Sequence, residues 1–219
     1  VNDPMVDVVV EVIGGIEPAR SLILQAIANG KSVVTANKAV IARHGPEIAN
    51  AAKAAGVYVL IEAAVGGGIP IIEPLKQSLG GNRINRVSGI INGTTNYILT
   101  RMADEGAAYA DVLAEAQRLG YAEADPAADV DGLDAADKIA ILSALAFGGT
   151  VDRDALPTTG ISALQGRDVE YARQLGYGVK LLAVAERLAG TGDPLPLSLR
   201  VQPTLVPSDH PLAGVNGVN

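Results

Sequence analysis

"VDVVVEVIGGIEPARSLILQAIANGKSVVTANK", residues 6–38, decides the fold. Val6–Ile13 is dominated by β-branched residues, the composition of a strand buried on both faces. Gly14 and Gly15 end it. "EPARSLILQAIANG" (17–30) then shows helical spacing of its apolar residues and stops on a glycine. "KSVVTA" (31–36) reads as a second short strand, and a helix begins at about Lys38. Two strands joined through a helix by short loops form a parallel pair.

The same rhythm continues downstream. The helix runs to Ala55 and stops at Gly56. "VYVLIEAAV" (57–65) predicts a third strand, Gly66–Gly68 break it, and "IPIIEPLKQSLGG" (69–81) predicts another helix. The β-α-β-α-β-α order predicts a partial Rossmann-like, doubly wound parallel sheet. Near Arg83 the pattern changes. "INRVSGIING" (84–93) reads as a strand, and "TTNYILTRMADEG" (94–106) as a helix capped by Thr94 or Thr95. "YADVLAEAQRLG" (109–120) is a second helix. A carboxylate-rich run follows, then an apolar helix over about 133–147. "DVEYARQLG" (168–176) is helical, and "KLLAVAERLA" and "PLSLRVQPTLVP" are strands around a "GTGDP" turn (190–194). The expectation is α/β, with one domain over 1–85 and an α+β domain over 86–219.

Composition narrows the function. The chain has 219 residues, a formal net charge of -7, no cysteine and no basic tract. A polyanion such as nucleic acid is a poor partner for it, and thiolate metal sites and disulfides are excluded. No apolar run reaches the ~20 residues that span a bilayer, so no membrane partner is expected, and no signal peptide is evident. With 48% hydrophobic but only 3% aromatic residues, the core must be built from aliphatic side chains. Val1 is no initiator and the last residues form no terminal element, so the chain is expected to be an internal piece of a longer polypeptide.

In open α/β sheets ligands bind beyond the carboxyl ends of the strands. Here those ends are Gly14-Gly15, Thr35-Ala36-Asn37-Lys38 and Gly66–Gly68, each followed by a helix start whose free N–H groups favour anions. Lys38 adds a positive charge. Nowhere does a G-x-G-x-x-G lie between a strand and a helix, so the phosphate grip of a dinucleotide fold is absent from this stretch. A complete mononucleotide half would add roughly 60–80 residues before Val6.

"GYAEADPAADVDGLDAADK" (120–138) crowds six carboxylates before a single lysine. On a helix Asp134 and Lys138 stand at i and i+4, on one face. Ile141, Leu142 and Leu145 fall within about 80° of Asp134 at ~100° per residue, and the opposite side is also largely apolar. Two readings stay open. One is an ordinary exposed ion pair of a few tenths of a kcal/mol. The other is a lysine that donates a proton to a carbonyl oxygen as hydride arrives, steadied by Asp134. An EF-hand register on Gly132 puts Ala127 and Lys138 where carboxylates are required, so calcium fits poorly. An ammonium group of an amino acid suits Glu123, Asp129 or both.

The stretch A-x3-G-Y-A-E-x-D-P-x2-D-V-x-G-x-D-x3-K, from Ala116 to Lys138, resembles the signature of the homoserine dehydrogenases. "VVTANKAVIA", "EAAVGGGIPII" and "GIINGTTNYILTRM" are similar to phrases of the same family, in its order. The resemblance implies reversible reduction of L-aspartate 4-semialdehyde to L-homoserine with NADP or NAD. It implies a cytoplasmic enzyme of threonine and methionine biosynthesis and a homodimer formed through the second domain. The first domain becomes the C-terminal part of a dinucleotide-binding domain, and the second becomes the catalytic and dimerisation domain.

By the same resemblance Lys138 is the general acid, Asp134 orients it, and Glu123 and Asp129 bind substrate. Lys38 lies by substrate and nicotinamide. Gly14, Gly15, Thr35, Asn37, Asn92, Gly93 and Thr94 are expected to line the cofactor site. Glu62, Val65, Gly67 and Ile69 match a sodium-binding turn built mostly of backbone carbonyls. Without the glycine-rich loop, the chain by itself is expected to bind cofactor poorly and to be nearly inactive. The other readings are a non-catalytic amino-acid-binding module and a related dehydrogenase acting on another amino acid.

Overall fold

The computed structural model describes residues 1–189 and 196–217. The chain divides into two compact units, Val1–Ile84 with Ala140–Asp154, and Asn85–Ile139 with Ala155–Asn219.

The first unit is a three-stranded parallel sheet in the order β1 (Val8–Glu11), β2 (Ser32–Thr35), β3 (Val59–Leu60). Helices α1 (Ala19–Ala28) and α2 (Lys38–Ala55) connect the strands. α2 keeps its expected bounds because both ends are signalled locally. The Asn37 side chain accepts the Val40 N–H at the start, and Gly56 takes the left-handed conformation at the end.

Three expectations for this unit are corrected. β1 is not buried on both faces: Val8 is 51% and Val10 65% exposed. Val10 lies in register with Val34 and Leu60, so one row crosses the sheet on an uncovered face, while Val33 on the other face is fully buried. The β-branched run reports strand propensity and not how many layers cover it. β3 is also far shorter than residues 57–65, since Glu62–Ala64 turn into a 3₁₀ helix. The Glu62 carboxylate accepts the N–H groups of Ile71, Ile72 and Glu73 at 2.7–2.9 Å and folds the chain back on itself. The helix expected over 69–81 is a π-helical turn at Pro74–Ser78 closed by Leu79 N–H to Pro74 O at 2.9 Å.

The second unit carries an antiparallel sheet, β4 (Arg86–Gly89), β5 (Tyr177–Arg187) and β6 (Leu197–Pro207), in that order. The "GTGDP" segment between β5 and β6 lies outside the described residues. Helices α3 (Gly93–Glu105), α4 (Tyr109–Arg118), the short α5 (Ala127–Val130) and α7 (Gly166–Gln174) belong to this unit, as does the first half of α6 (Leu133–Phe147). Ile98, Leu99, Met102, Ile161 and the small β5 residues Ala183 and Ala185 are almost fully buried. Leu182, Val184 and Val206 form a second cluster, packed by Ile90, Leu212 and Ala213. α3 is capped by Asn92, which accepts the Thr95 N–H, and not by either threonine. Asn92, two residues before Thr94, supplies the same oxygen from the required extended backbone.

Within β5, Lys180 is only 3% exposed. Its ammonium donates to Val215 O (2.6 Å), Asn216 Oδ1 (3.2 Å) and Asn96 Oδ1 (3.3 Å), tying the segment around Val215 to the sheet. Burial pushes this ammonium below the ordinary lysine range, against the opposing pull of Asp104. The unfolded chain keeps the ordinary value near 10.5, so below it the unfolded state binds more protons and stability rises with pH. Denaturant titrations of the parent and of Lys180→Met should therefore diverge in the parent's favour through that alkaline window. A difference that stays flat or shrinks would refute the burial of a charged Lys180.

Candidate active site

The acidic run folds into α5, a left-handed turn at Gly132 and the start of α6. Gly132 is required there twice over. Its φ is +81°, and a Cβ would stand 3.1 Å from Thr158 Cγ2 and 3.2 Å from Val201 Cγ1. The next helix begins at Leu133, so Asp134 and Lys138 lie one turn apart as the spacing predicts. Lys138 Nζ donates to Asp134 Oδ2 at 2.6 Å and to the Ile91 carbonyl at 2.8 Å. Only 19% of the Lys138 side chain and 9% of the Asp134 side chain are exposed. This is not the solvated ion pair of the blander reading.

Asn92 joins the pair from 42 residues away. Its Nδ2 donates to Asp134 Oδ2 at 2.9 Å and to Asp129 Oδ1 at 2.7 Å. Four expected residues, Lys138, Asp134, Asp129 and Asn92, therefore form one hydrogen-bonded cluster. Thr94, beside it on α3, donates to the Tyr121 carbonyl at 2.8 Å, and Gly93 opens the helix. Glu123 stands exposed; its main-chain oxygen accepts from Gln117, and its carboxylate lies outside the cluster. An ammonium with three donors keeps one beyond the two engaged at Lys138. A polar substrate oxygen could accept it.

In the first unit, the carboxyl ends of β1 and β2 are organised by Glu11, a residue the strand pattern hid. Glu11 is 3% exposed. It accepts from Thr35 Oγ1 (2.6 Å), Asn37 Nδ2 (3.3 Å) and the Ile13 N–H (2.8 Å). Asn37 Nδ2 also donates to Gly15 O at 2.8 Å. The Thr35 and Asn37 side chains thus build the strand ends, and a cofactor there would meet main-chain atoms. Gly14 and Gly15 adopt φ of +82° and +70°, with nothing within 4 Å of where their Cβ atoms would stand. That open backbone suits the close approach of a dinucleotide. Lys38 is the first residue of α2, half-buried. A charged residue breaking the valine run at its last position was the available signal for Glu11.

The Gly66–Gly68 turn offers carbonyls and no ligating carboxylate. Burial alone would raise the Glu62 carboxyl, but the three N–H groups it accepts, with Lys76 nearby, hold it below the ordinary carboxylate range. Its oxygens already face donors, so an ion at this turn would rest on main-chain oxygens such as those of Val65, Gly67 and Ile69. Among the described residues no group of three or more His, Cys, Asp or Glu could hold a metal. An apolar hollow of about 760 Å³ beside Ile41, Ile48 and Val151 holds none of the expected site residues.

Known proteins match along the whole chain. Residues 70–219 match the family profile described as homoserine dehydrogenase, and residues 1–62 that described as homoserine dehydrogenase, NAD binding domain. The chain is 66% identical over 218 residues to the homoserine dehydrogenase of a Synechocystis species, covering 100% of the chain and 50% of that protein. It is similar to the crystal structure of a homoserine dehydrogenase from Thiobacillus denitrificans, with a TM-score of 0.92 and 57% identity over 97% of this chain and 48% of that one. A hyperthermophilic archaeal homoserine dehydrogenase, solved in complex with NADPH, aligns at 33% identity and a TM-score of 0.77 over 97% of this chain and 59% of that one. The chain spans about half the length of the curated relatives it matches.

Proposed function

Because the chain belongs to the homoserine dehydrogenase family, we propose that it carries the proton-transfer site for reversible reduction of L-aspartate 4-semialdehyde to L-homoserine. The observation that carries this reading is the Lys138 ammonium, held between Asp134 Oδ2 and Ile91 O. Two hydrogen bonds fix its direction. The third N–H serves the aldehyde oxygen of the substrate.

NADPH or NADH, when bound, supplies the hydride. As the carbonyl carbon gains it, the carbonyl oxygen takes a proton from Lys138 Nζ and becomes the hydroxyl of homoserine. In the oxidising direction the neutral amine accepts that proton back. Asp134 keeps the nitrogen in place through both directions. Asp129, hydrogen-bonded into the cluster of the proton donor, receives the substrate ammonium by a charge-assisted hydrogen bond, and the family resemblance adds Glu123 to that role. Lys38 neutralises charge at the substrate carboxylate or the cofactor. Gly14, Gly15 and the start of α2 meet the cofactor through main-chain atoms of the first unit; in the second unit, Asn92, Gly93 and Thr94 flank the proton donor and offer further cofactor contacts.

The expected domain division at residue 85, a sodium ion on the carbonyls around Val65, Gly67 and Ile69, a homodimer formed through the second domain, a cytoplasmic location and a role in threonine and methionine biosynthesis complete the reading. The chain alone, which holds no G-x-G-x-x-G, turns over slowly. The test uses the complete polypeptide. L-Homoserine should reduce NADP or NAD and release the semialdehyde, while L-aspartate and other amino acids leave the cofactor unchanged. Turnover of another amino acid in place of homoserine would overturn the substrate, and binding of homoserine without turnover would leave a binding module.

A further inference from the structure

We infer that Asn92 is a positioning residue: it holds Asp134 and Asp129 at a fixed separation and so aims the Lys138 ammonium without touching the reacting atoms. The inference rests on the proposed role of Lys138 as proton donor.

The hydrogen-bonding valences of the Asn92 side chain are all satisfied within the protein. A carboxamide has two N–H donors and two acceptor lone pairs. In Asn92 one donor side reaches Asp129 Oδ1 and Asp134 Oδ2, at 2.7 and 2.9 Å. The oxygen accepts the Thr95 N–H and the Thr95 hydroxyl, both at 2.9 Å. The orientation of the amide follows from chemistry, since ionised carboxylates only accept and a backbone N–H only donates. Asn92 is 5% exposed and Thr95 is fully buried. All four capacities are engaged inside the protein, so the side chain cannot also grip a cofactor or substrate without breaking one of them. Its expected place in the cofactor site is thereby narrowed to the main chain.

The consequence for Lys138 follows from the shared atom. Asp134 Oδ2 accepts from both Asn92 Nδ2 and Lys138 Nζ. The adjacent Ile91 carbonyl accepts from the same Nζ. Residues 91 and 92, at the entry to α3, therefore fix the ammonium from two sides, one directly and one through Asp134. Asn92 also sets where Asp129 stands. Loss of its N–H groups would leave two buried or half-buried carboxylates facing one another with no donor between them.

Serine separates the two roles of the residue. Asn92→Ser keeps an N-cap oxygen for Thr95 but removes both carboxylate contacts. In the complete polypeptide it should still fold, with a melting temperature lowered by the lost carboxylate contacts, lower kcat by about 10–100-fold and raise KM for homoserine. Asn92→Asp, which also keeps a cap but adds a third carboxylate, should lose at least as much. The decisive measurement is the cycle with Lys138→Met, read by single-turnover rate and by homoserine affinity. If Asn92 acts through Asp134 and Lys138, Asn92→Ser lowers the residual rate of Lys138→Met by less than about twofold. The affinity loss that runs through Asp129 persists in both backgrounds. Equal rate losses in the two backgrounds, or parent kcat in Asn92→Ser, would overturn the inference and leave the proposed function standing. Parent turnover in Lys138→Met would instead remove the proposed function itself, and the inference with it.

Discussion

Replacing Lys138 by arginine in the complete polypeptide should abolish most turnover while leaving the fold and homoserine affinity near parent values. Arginine keeps the positive charge and can still pair with Asp134 and the Ile91 carbonyl, so the buried carboxylate is not left without a cation. A guanidinium, however, does not give up its proton at any accessible pH. The substitution therefore removes proton transfer and little else. The expected fall in kcat is roughly 10²–10⁴-fold, the usual worth of a positioned general acid. Lys138→Met should fall as far in rate and also lose stability, because Asp134 is 8% exposed and loses its cation. Comparing the two variants separates chemistry from packing. A kcat for Lys138→Arg within a few-fold of the parent would show that the charge suffices, and would take proton donation away from this residue.

Gly160→Ala should be the most damaging single-methyl change in the second unit. A Cβ at Gly160 would overlap the carbonyl oxygen of Val130 and the Cα and carbonyl carbon of Asp131. All of these are main-chain atoms, so no rotamer change relieves the contact. The approach is close because Ile161 N–H donates to Val130 O at 2.7 Å, while Thr159 N–H donates to Val201 O at 2.8 Å. The 157–161 segment is thus laid between β6 and the acidic turn. Displacing it costs about 3 kcal/mol or more, at the upper end of overpacking changes. Asp129, one residue before Val130, moves with the turn, so surviving folded protein should show a raised KM for homoserine. Gly214→Ala is the control. It has open space where its Cβ would stand and no left-handed φ, so its stability should match the parent within ~0.5 kcal/mol. Equal midpoints for the two variants in urea would sink the account of Gly160.

Short-range features could be read without coordinates. α2 and α6 keep the limits expected of them. The Asp134–Lys138 pair forms because a helix alone brings residues four apart onto one face. What failed was also systematic. Val8 and Val10 lie in a strand yet face outward. Glu62 turns its chain into a 3₁₀ helix where a strand was expected, because its carboxylate captures N–H groups nine to eleven residues ahead. Thr94 and Thr95 looked like caps, but the oxygen came from Asn92. At Glu62 a local propensity was overridden by partners that no short window contains, whereas the exposed valines show that strand propensity does not report burial, and the cap was a choice among neighbouring residues.

The amino-acid order alone determined that a parallel α/β unit precedes an α+β unit, and that Lys138 stands beside Asp134 on an apolar helix. Backbone periodicity and chain-local capping carry that information. Only the tertiary structure decided that Asn92, Asp129 and Asp134 share one set of hydrogen bonds, that Glu11 knits two strand ends, and that Gly160 lies against the acidic turn. Those contacts join residues 24 to 42 positions apart, and their partners are selected by the path of the chain through the packed fold.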